Sequence, residues 1–177
     1  MCNIQHAFGI GSFVDELALR TGQSCPAMWR QLLGQPRVEN FADQGFKYGN
    51  YGEELSRHPV DVARYLAVID AAEKRMAQSP AKAGEGWGFA VHRSFVSYVA
   101  VAIKVKLDGE RLQVLQAISV LDAGTVVNPD RVHSQLEARS SSASAWRCWA
   151  KSASRMARCN SRTSTTINCC GCRNALR

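Results

Sequence analysis

The sequence predicts an α+β fold, in which helices are followed by an antiparallel β-hairpin or meander. Two observations carry this prediction. Residues 59–76 place apolar side chains at helical spacing. Residues 87–121 are rich in β-branched and aromatic residues, and the Asp108-Gly109 pair among them is typical of a tight hairpin turn.

The first predicted helix covers residues 11–21. Ser12 is placed to cap it, and Asp15 and Glu16 then lie near the positive end of the helix dipole. Gly22 ends the helix. The side chains expected to face inward are Phe13, Val14 and Leu17.

A second helix is predicted over residues 26–33, because proline suits a first helical turn and apolar residues follow it. Residues 34–58 are rich in glycine and polar side chains and predict a long surface excursion. The helix at 59–76 comes next, and its predicted inward-facing side chains are Val62, Tyr65, Leu66, Ile69 and Ala72.

The β region begins after a linker at residues 79–86. Residues 87–107 form its first part, and apolar side chains alternate with Lys104 and Lys106 towards its end. Residues 111–124 form the returning strand. Asn128-Pro129 then ends the sheet and begins another helix, with proline in its first turn.

Charge and cysteine divide the chain at Glu137. All 15 acidic residues lie in residues 1–137, whereas residues 138–177 carry eight basic residues and no acidic ones. Five of the seven cysteines also lie in residues 138–177. The net charge of +7 therefore belongs to this last segment, and we treat residues 1–137 and 138–177 as separate units.

The residues from Asp122 to Glu137 follow the pattern D-x-G-x-x-x-N-P-x-x-x-x-x-Q-x-E. This pattern, the run GFAVHRSFVSYVAVAIKVKLDGERLQVLQAISVL before it and the segment NIQHAFGIGSFVDELA resemble the molybdopterin-binding subunit of the xanthine dehydrogenase and aldehyde oxidase family. The resemblance is closest to the bacterial isoquinoline 1-oxidoreductase group and covers nearly all of residues 1–137. It implies that these residues are an internal fragment of a larger molybdopterin-binding domain.

The resemblance implies a molybdenum hydroxylase that oxidises aldehydes or N-heteroaromatic compounds with oxygen from water. Gln135 matches a glutamine that lies against the pterin in relatives, and Ala138 stands where a glycine is expected. The family's catalytic glutamate falls beyond this sequence, so no catalytic residue is assigned and the chain alone is expected to be inactive and not to bind the cofactor. Relatives pair with an iron–sulfur small subunit and are cytoplasmic or periplasmic.

We interpret residues 138–177 as the product of a shifted reading frame. The family helix continues as Gly-Ala-Val-Ile-Phe-Gly-Leu-Ser-Leu-Ala-Leu. When GC-rich codons are assigned to it and one G is removed, the translation becomes ARSSSASAWRCWAK, which is residues 138–151. Leu-Leu-Arg-Leu becomes Cys-Cys-Gly-Cys in the same way, as at residues 169–172. We therefore expect a non-native tail that is disordered or irregular.

Three other interpretations of the chain remain open. A zinc knuckle would use Cys159, Cys169 and Cys172, although all four histidines lie before residue 138. The basic tail could bind nucleic acid through phosphate contacts, without sequence specificity. The runner-up to the enzyme fragment is a stand-alone interaction or assembly module.

Other residue types that often carry chemistry have simpler interpretations here. Cys25 could be a nucleophile, but no base is paired with it in the sequence, so a structural cysteine is favoured. His92 and His133 are interpreted as structural, and Glu53 with Glu54 as a solvated surface. No apolar run reaches the roughly 18–20 residues that a membrane span needs, and no signal peptide is recognisable.

Overall fold

The computed structural model of the chain describes residues 3–109 and 111–138, together with the backbone of residues 164–169. It confirms the predicted α+β class. Two short 3-10 turns interrupt the excursion that follows the second helix. In chain order the elements are α1 (Asn3–Thr21), α2 (Cys25–Leu33), the turns Phe41–Gln44 and Asn50–Gly52, α3 (Val62–Ala77), β1 (Glu85–Ser94), β2 (Ser97–Asp108), β3 (Arg111–Asp122), α4 (129–138) and β4 (Ser164–Cys169).

The described strands form one sheet in the order β1-β2-β3-β4. The first three are antiparallel neighbours, as the sequence predicted, and β4 runs parallel to β3. Helices α1, α2 and α3 contact this sheet, and α3 lies over β2 and β3. The sheet is thus the layer on which the other elements are arranged.

The hydrophobic core lies between the helices and one face of the sheet. Each large apolar side chain buried there stabilises the fold by roughly 1.5–3 kcal/mol. Tyr98 is fully buried in this core, and its hydroxyl accepts a hydrogen bond of 2.8 Å from the Asp61 N–H, at the start of α3. The core consists of Val14, Ala18, Met28, Trp29, Val68, Ile69, Ala72, Phe89, Val91, Tyr98, Ala100, Ala102, Ile118 and Val120.

Helix α1 differs from its prediction. It begins at Asn3, so Ser12 lies within the helix and does not cap it, and Asp15 and Glu16 lie in its C-terminal half. Phe13 is 65% exposed, whereas Val14 is buried. The prediction was wrong because Ser12 was taken as an N-cap, whereas the helix continues towards the N-terminus through Gly9 and Gly11, each tolerated at a cost of about 1 kcal/mol.

Helix α3 agrees closely with its prediction. Asp61 caps it by accepting a hydrogen bond of 2.8 Å from the Ala63 N–H, which moves its start three residues beyond Pro59. Of its predicted inward-facing side chains, Val62, Ile69 and Ala72 are buried. Tyr65 and Leu66 are half-buried, because they lie at the margin of the packed helix face.

The β region contains a turn that the sequence did not reveal. Ser94 pairs with Ser97, so a two-residue turn of Phe95 and Val96 joins β1 to β2. Both residues have positive φ, at 47° and 59°, as in a type I′ turn. Such turns normally contain asparagine and glycine, which is why Phe-Val gave no signal.

Lys104 is buried, although alternation with apolar residues usually places a lysine in solvent. Its Nζ lies 2.9 Å from Glu85 Oε2 and also donates to the Pro80 carbonyl at 2.9 Å and to Ser79 Oγ at 3.3 Å. All three ammonium hydrogens therefore have acceptors. This arrangement fixes the linker at residues 79–86 against the end of the sheet.

The disordered or irregular tail that the sequence predicts lies mostly outside the described residues, which omit 139–163 and 170–177. Within the tail, residues 164–169 form β4 against β3, a strand that the sequence did not predict.

Candidate functional site

The pattern from Asp122 to Glu137 folds as a strand end, a tight turn and a helix. Asp122 is the last residue of β3, and its Oδ1 accepts a hydrogen bond of 3.1 Å from the Gly124 N–H. Gly124 has a φ of 71°, a conformation that glycine adopts without steric cost. Asn128 Oδ1 then accepts a hydrogen bond of 3.1 Å from the Arg131 N–H, which caps α4. The spacing of Asp122, Gly124 and Asn128 is therefore explained locally by backbone geometry.

The turn is attached to the core through Asp122. Arg64 on α3 donates from Nε and Nη2 to its two carboxylate oxygens, each over 2.7 Å. This hydrogen-bonded pairing is the main reason why the pKa of Asp122 lies below its ordinary value, and it outweighs the opposing effect of burial. A bidentate pair of this kind fixes orientation as well as distance. The start of α4 is thus positioned relative to α3.

Gln135, the predicted cofactor-contacting residue, lies exposed on α4. Within the described residues its side-chain amide makes no hydrogen bond, so both its donor and its acceptor are available to a ligand. Ala138 is exposed at the last described position of the same helix. Glu137 is exposed as well.

These residues do not by themselves form a site for a molybdenum pterin cofactor. A buried ligand needs a concave surface with several converging polar groups. Gln135 supplies one such group, but it lines neither of the two cavities described below. We therefore derive no chemical step through that cofactor, and the structure assigns no catalytic residue among residues 3–138.

A second polar centre, which the sequence interpretation missed, surrounds Arg93. This arginine is only 5% exposed, and no carboxylate of the described residues lies within ion-pair distance of it. Its Nη2 donates to Asn50 Oδ1 at 2.8 Å, and its Nη1 donates to the Tyr48 hydroxyl at 3.3 Å. Its Nε is buried and has no hydrogen-bond partner among the described residues.

A backbone carbonyl and two aromatic rings also compensate this buried charge. Arg93 Nη2 donates to the His58 carbonyl at 3.5 Å. The guanidinium carbon lies 5.6 Å from the ring centre of Tyr98 and 6.0 Å from that of Tyr48. The position of Arg93 along β1 could have revealed its burial. Side chains alternate between the two faces of a strand, and Phe89 and Val91 precede Arg93 at two-residue spacing on the buried face. Arg93 therefore lies on that buried face too.

Backbone strain is concentrated next to Arg93. The four non-glycine residues with positive φ in the described chain are Asn50, Tyr51, Phe95 and Val96. The rings of Tyr51 and Phe95 stack with centroids 4.9 Å apart, so the two strained segments contact each other. Strain of this kind persists only where surrounding contacts determine the conformation. Here the buried hydrogen bond between Arg93 and Asn50 joins the same two segments.

Two surface cavities lie elsewhere in the fold. The larger, of about 610 Å³, opens within residues 40–55 and has Phe46, Tyr48 and Glu53 among its lining residues. The smaller, of about 340 Å³, lies between α1 and β1 and includes Asp15 and Cys25. In the smaller cavity the Cys25 thiol lies next to the Asp15 carboxylate.

Cys25 lies in a setting that suppresses thiol reactivity. Burial, and secondarily the neighbouring Asp15 carboxylate, raise the pKa of its thiol to about 12. Its Sγ–H donates to the Phe89 carbonyl at 3.6 Å. These features favour the structural interpretation of this cysteine over the nucleophilic one.

The remaining predicted residues do not converge on one place. Burial lowers the pKa of His92, and its Nε2 has no hydrogen-bond partner among the described residues, so the ring is neutral near pH 7. His133 is half-buried on α4. Glu53 and Glu54 are exposed, and Glu53 lies 3.8 Å from His58.

The zinc-knuckle and nucleic-acid interpretations both depend on side chains of residues 138–177 that lie outside the described residues. The side chains of Cys159, Cys169 and Cys172, and the tail's basic residues, are not among the described ones. Within the described ranges, no group of three histidine, cysteine or acidic side chains is arranged to hold a metal ion. None of the helices described is both long and apolar enough to cross a membrane.

Comparison of the chain with protein-family models gives no match, and comparison with curated proteins gives none.

Proposed function

We propose that residues 1–137 derive from the molybdopterin-binding subunit of a molybdenum hydroxylase that oxidises aldehydes or N-heteroaromatic compounds with oxygen from water. The observation that supports this proposal is the Asp122–Glu137 pattern. Its aspartate, glycine and asparagine each have a distinct role in the strand–turn–helix structure, and Gln135 is exposed, with no hydrogen bond to its amide among the described residues. A pattern that served packing alone would not require an exposed glutamine.

In this proposal the chain alone is inactive. Bound molybdenum would supply the redox chemistry, and the protein would contribute binding, orientation and a general base. Gln135 is the single cofactor-contacting residue proposed here, and no residue of the chain is proposed as the base. The iron–sulfur small subunit is the proposed partner of the parent enzyme.

The origin of residues 138–177 gives the first test. Genomic DNA is sequenced from the codon of Glu137 to that of Arg177 and read with one added nucleotide. We expect the added nucleotide to convert Ala138 and the following residues into a helix with the order Gly-Ala-Val-Ile-Phe-Gly. The third reading frame serves as the control and should contain no such helix. Stop codons or unrelated residues in the restored frame would contradict the proposed origin.

Metal content gives the second test, on the chain as it exists. The purified full-length chain, expressed in cells that make molybdopterin, is measured by inductively coupled plasma mass spectrometry and assayed with an aldehyde and a dye acceptor. We expect far less than one molybdenum per chain and no turnover. Stoichiometric molybdenum or aldehyde oxidation would overturn the proposed inactivity.

A stand-alone interaction module is the second candidate, and exposed apolar side chains on α1 favour it. Ile4 and Phe8, which lie one helical turn apart on α1, are 69% and 76% exposed. Apolar residues grouped in this way often mark contact surfaces. If α1 is a contact surface, Phe8→Ser abolishes self-association or partner binding measured by light scattering, whereas Val127→Ser, at an exposed site away from α1, has no effect. Equal behaviour of the two variants would exclude the α1 surface.

A nucleic-acid-binding role is the third and least favoured candidate, because it depends on the basic residues of the tail alone. It predicts binding that weakens steeply with salt and shows no sequence preference. Such binding would follow from composition and would leave the enzyme-fragment proposal unaffected.

A further inference from the structure

One edge of β3 pairs with β2 along the whole strand. The other edge pairs with β4 along only half of it. β4 (Ser164–Cys169) runs parallel to β3 from Gln116 to Leu121, with each residue in register with one partner. The first half of β3, residues 111–115, has β2 on one side and no described strand on the other. The boundary therefore falls in the middle of a strand that is otherwise continuous.

Burial follows the same boundary. Ala117, Ile118, Ser119 and Val120, all opposite β4, are each no more than 5% exposed. Leu112 in the other half is 39% exposed, and Gln113 is exposed as well. Because Ala117 and Ser119 lie on the opposite face from Ile118 and Val120, this half of β3 is enclosed on both faces. Buried backbone groups need hydrogen-bond partners, so an extended strand is the fitting occupant of this edge.

The segment between β3 and β4 is long enough for the two strands to run parallel. Residues 123–163 separate the end of β3 from the start of β4, and α4 lies within them. Parallel strands need a long crossover of this kind, because a tight turn reverses the chain direction. The occupying segment contains Thr165, Thr166 and Ile167, whose β-branched side chains favour extended backbone.

We propose that the edge of β3 from Gln116 to Leu121 is a strand-acceptor site that binds a short, extended, β-branched peptide in parallel, and that residues 164–169 of the same chain are its occupant. Recognition through main-chain hydrogen bonds depends little on side-chain identity. The site can therefore accept residues from a segment that was not selected for it. This inference holds whether or not the proposed family assignment is correct.

The acceptor is formed independently of its occupant. β2 pairs with β3 from Asp108↔Arg111 to Tyr98↔Asp122, and α3 packs on the same two strands. Removing β4 leaves these contacts in place. An acceptor edge that persists after its occupant has left can then bind the same peptide in trans.

The test uses the full-length chain with Thr165→Pro and Thr166→Pro together. Successive N–H groups of a strand point towards opposite edges, and proline has none. Two adjacent prolines therefore remove one N–H that points towards β3, whichever of the two it is. Hydrogen exchange is followed in peptides that cover residues 116–121. We expect exchange of the amides that point towards β4 to accelerate at least about tenfold, with no change in residues 98–105 of β2. The matched control carries Ser152→Pro and Ala153→Pro and should exchange like the parent chain.

Rescue in trans then separates a binding site from a merely stabilised strand. A fluorescein-labelled peptide with the sequence of residues 162–168, RTSTTIN, is titrated into each chain and followed by anisotropy. The Thr165→Pro, Thr166→Pro chain should bind the peptide and regain slow exchange at residues 116–121. The parent chain and the control, whose edge is occupied, should not bind it.

Each other outcome overturns the proposal. Unchanged exchange at residues 116–121 means that β4 does not occupy the edge. Loss of protection in β2 as well means that the acceptor does not exist without its occupant. Failure of the peptide to bind the doubly substituted chain means that the edge is not a binding site.

Discussion

Arg93 Nη2 donates to Asn50 Oδ1 over 2.8 Å, and this hydrogen bond joins strand β1 to the excursion between α2 and α3. Asn50 is itself 1% exposed, and its Nδ2 donates to the carbonyls of Glu53 and His58 at 3.1 and 2.9 Å. One amide thus satisfies a buried cation and two backbone acceptors. The excursion is held in position because Tyr48, Asn50 and the His58 carbonyl all accept hydrogen bonds from Arg93.

Replacing Asn50 with glycine should destabilise the protein by about 2–3 kcal/mol, because buried groups that lose their partner retain their desolvation cost. Glycine is the informative substitution, since the φ of Asn50 is 41° and glycine adopts it without strain. The measurement is urea unfolding followed by circular dichroism. Asn40→Gly, at the exposed cap of the neighbouring 3-10 turn, should cost only a few tenths of a kcal/mol. Equal losses would show that the Arg93 contact contributes nothing.

Replacing Val96 with glycine should stabilise the protein by about 0.5–1 kcal/mol. A left-handed conformation costs a non-glycine residue roughly 1–2 kcal/mol, and the greater freedom of glycine in the unfolded chain offsets part of the gain. The readout is the midpoint of thermal unfolding. Val101→Gly, at an extended position in β2, is the control and should lower stability by about 1–2 kcal/mol. A lower midpoint for Val96→Gly would mean that the turn is not strained.

Asp122 should make stability depend on pH in the acidic range. Its pKa in the folded state lies below 3.8, the value for an unpaired carboxylate, chiefly because Arg64 donates to it. The stabilisation is therefore fully present above pH 4 and is lost as the pH falls through the folded-state pKa. Wild type should be more stable than Asp122→Asn at pH 7, and the difference should shrink as the pH falls below 4 in urea titrations.

The matched control for this pH dependence is Asp130→Asn, which lies in an exposed position on α4. Asp130 accepts no hydrogen bond from an arginine among the described residues, so Asp130→Asn should change stability at pH 7 less than Asp122→Asn does. A difference between wild type and Asp122→Asn that stays constant with pH would contradict the proposed ion pair.

Cys25 should resist alkylation in the folded protein. At pH 8 the thiolate fraction of a thiol with a pKa of about 12 is roughly 1,000-fold lower than that of one with a pKa of 9.0. The rate of iodoacetamide modification at Cys25, resolved by peptide mass spectrometry, should therefore rise at least about 100-fold in 8 M urea. Asp15→Asn should increase the native rate modestly, because the carboxylate is a secondary cause of the shift. Fast alkylation of Cys25 in the native state would restore the nucleophile interpretation.

Local sequence signals identified most of the elements correctly. The periodicity of residues 59–76 predicted α3, and Asp108-Gly109 predicted the β2–β3 turn. Asn128-Pro129 predicted the start of α4. Each of these features depends on residues close together in the chain, so helix caps, turn residues and spacing are sufficient to reveal them.

The candidate site was only partly predictable. The pattern from Asp122 to Glu137 singled out Gln135. Neither the exposure of Gln135 nor the hydrogen bond from Arg64 to Asp122 could be inferred from that pattern. Arg93 was missed because its partners, Tyr48 and Asn50, lie in an excursion without periodicity. The Phe95-Val96 turn was missed because it lacks the residues that its conformation favours.

The sequence by itself determined the α+β class, the order of three helices before a β-rich region, and the separation of a balanced segment from a basic one at Glu137. Only the tertiary structure decided that Lys104 and Arg93 are buried, that α1 extends back to Asn3, and that residues 164–169 pair with β3. The physical reason is distance along the chain. Caps, turns and amphipathic spacing act between near neighbours, whereas burial of a charge and pairing of a parallel strand depend on partners tens of residues away.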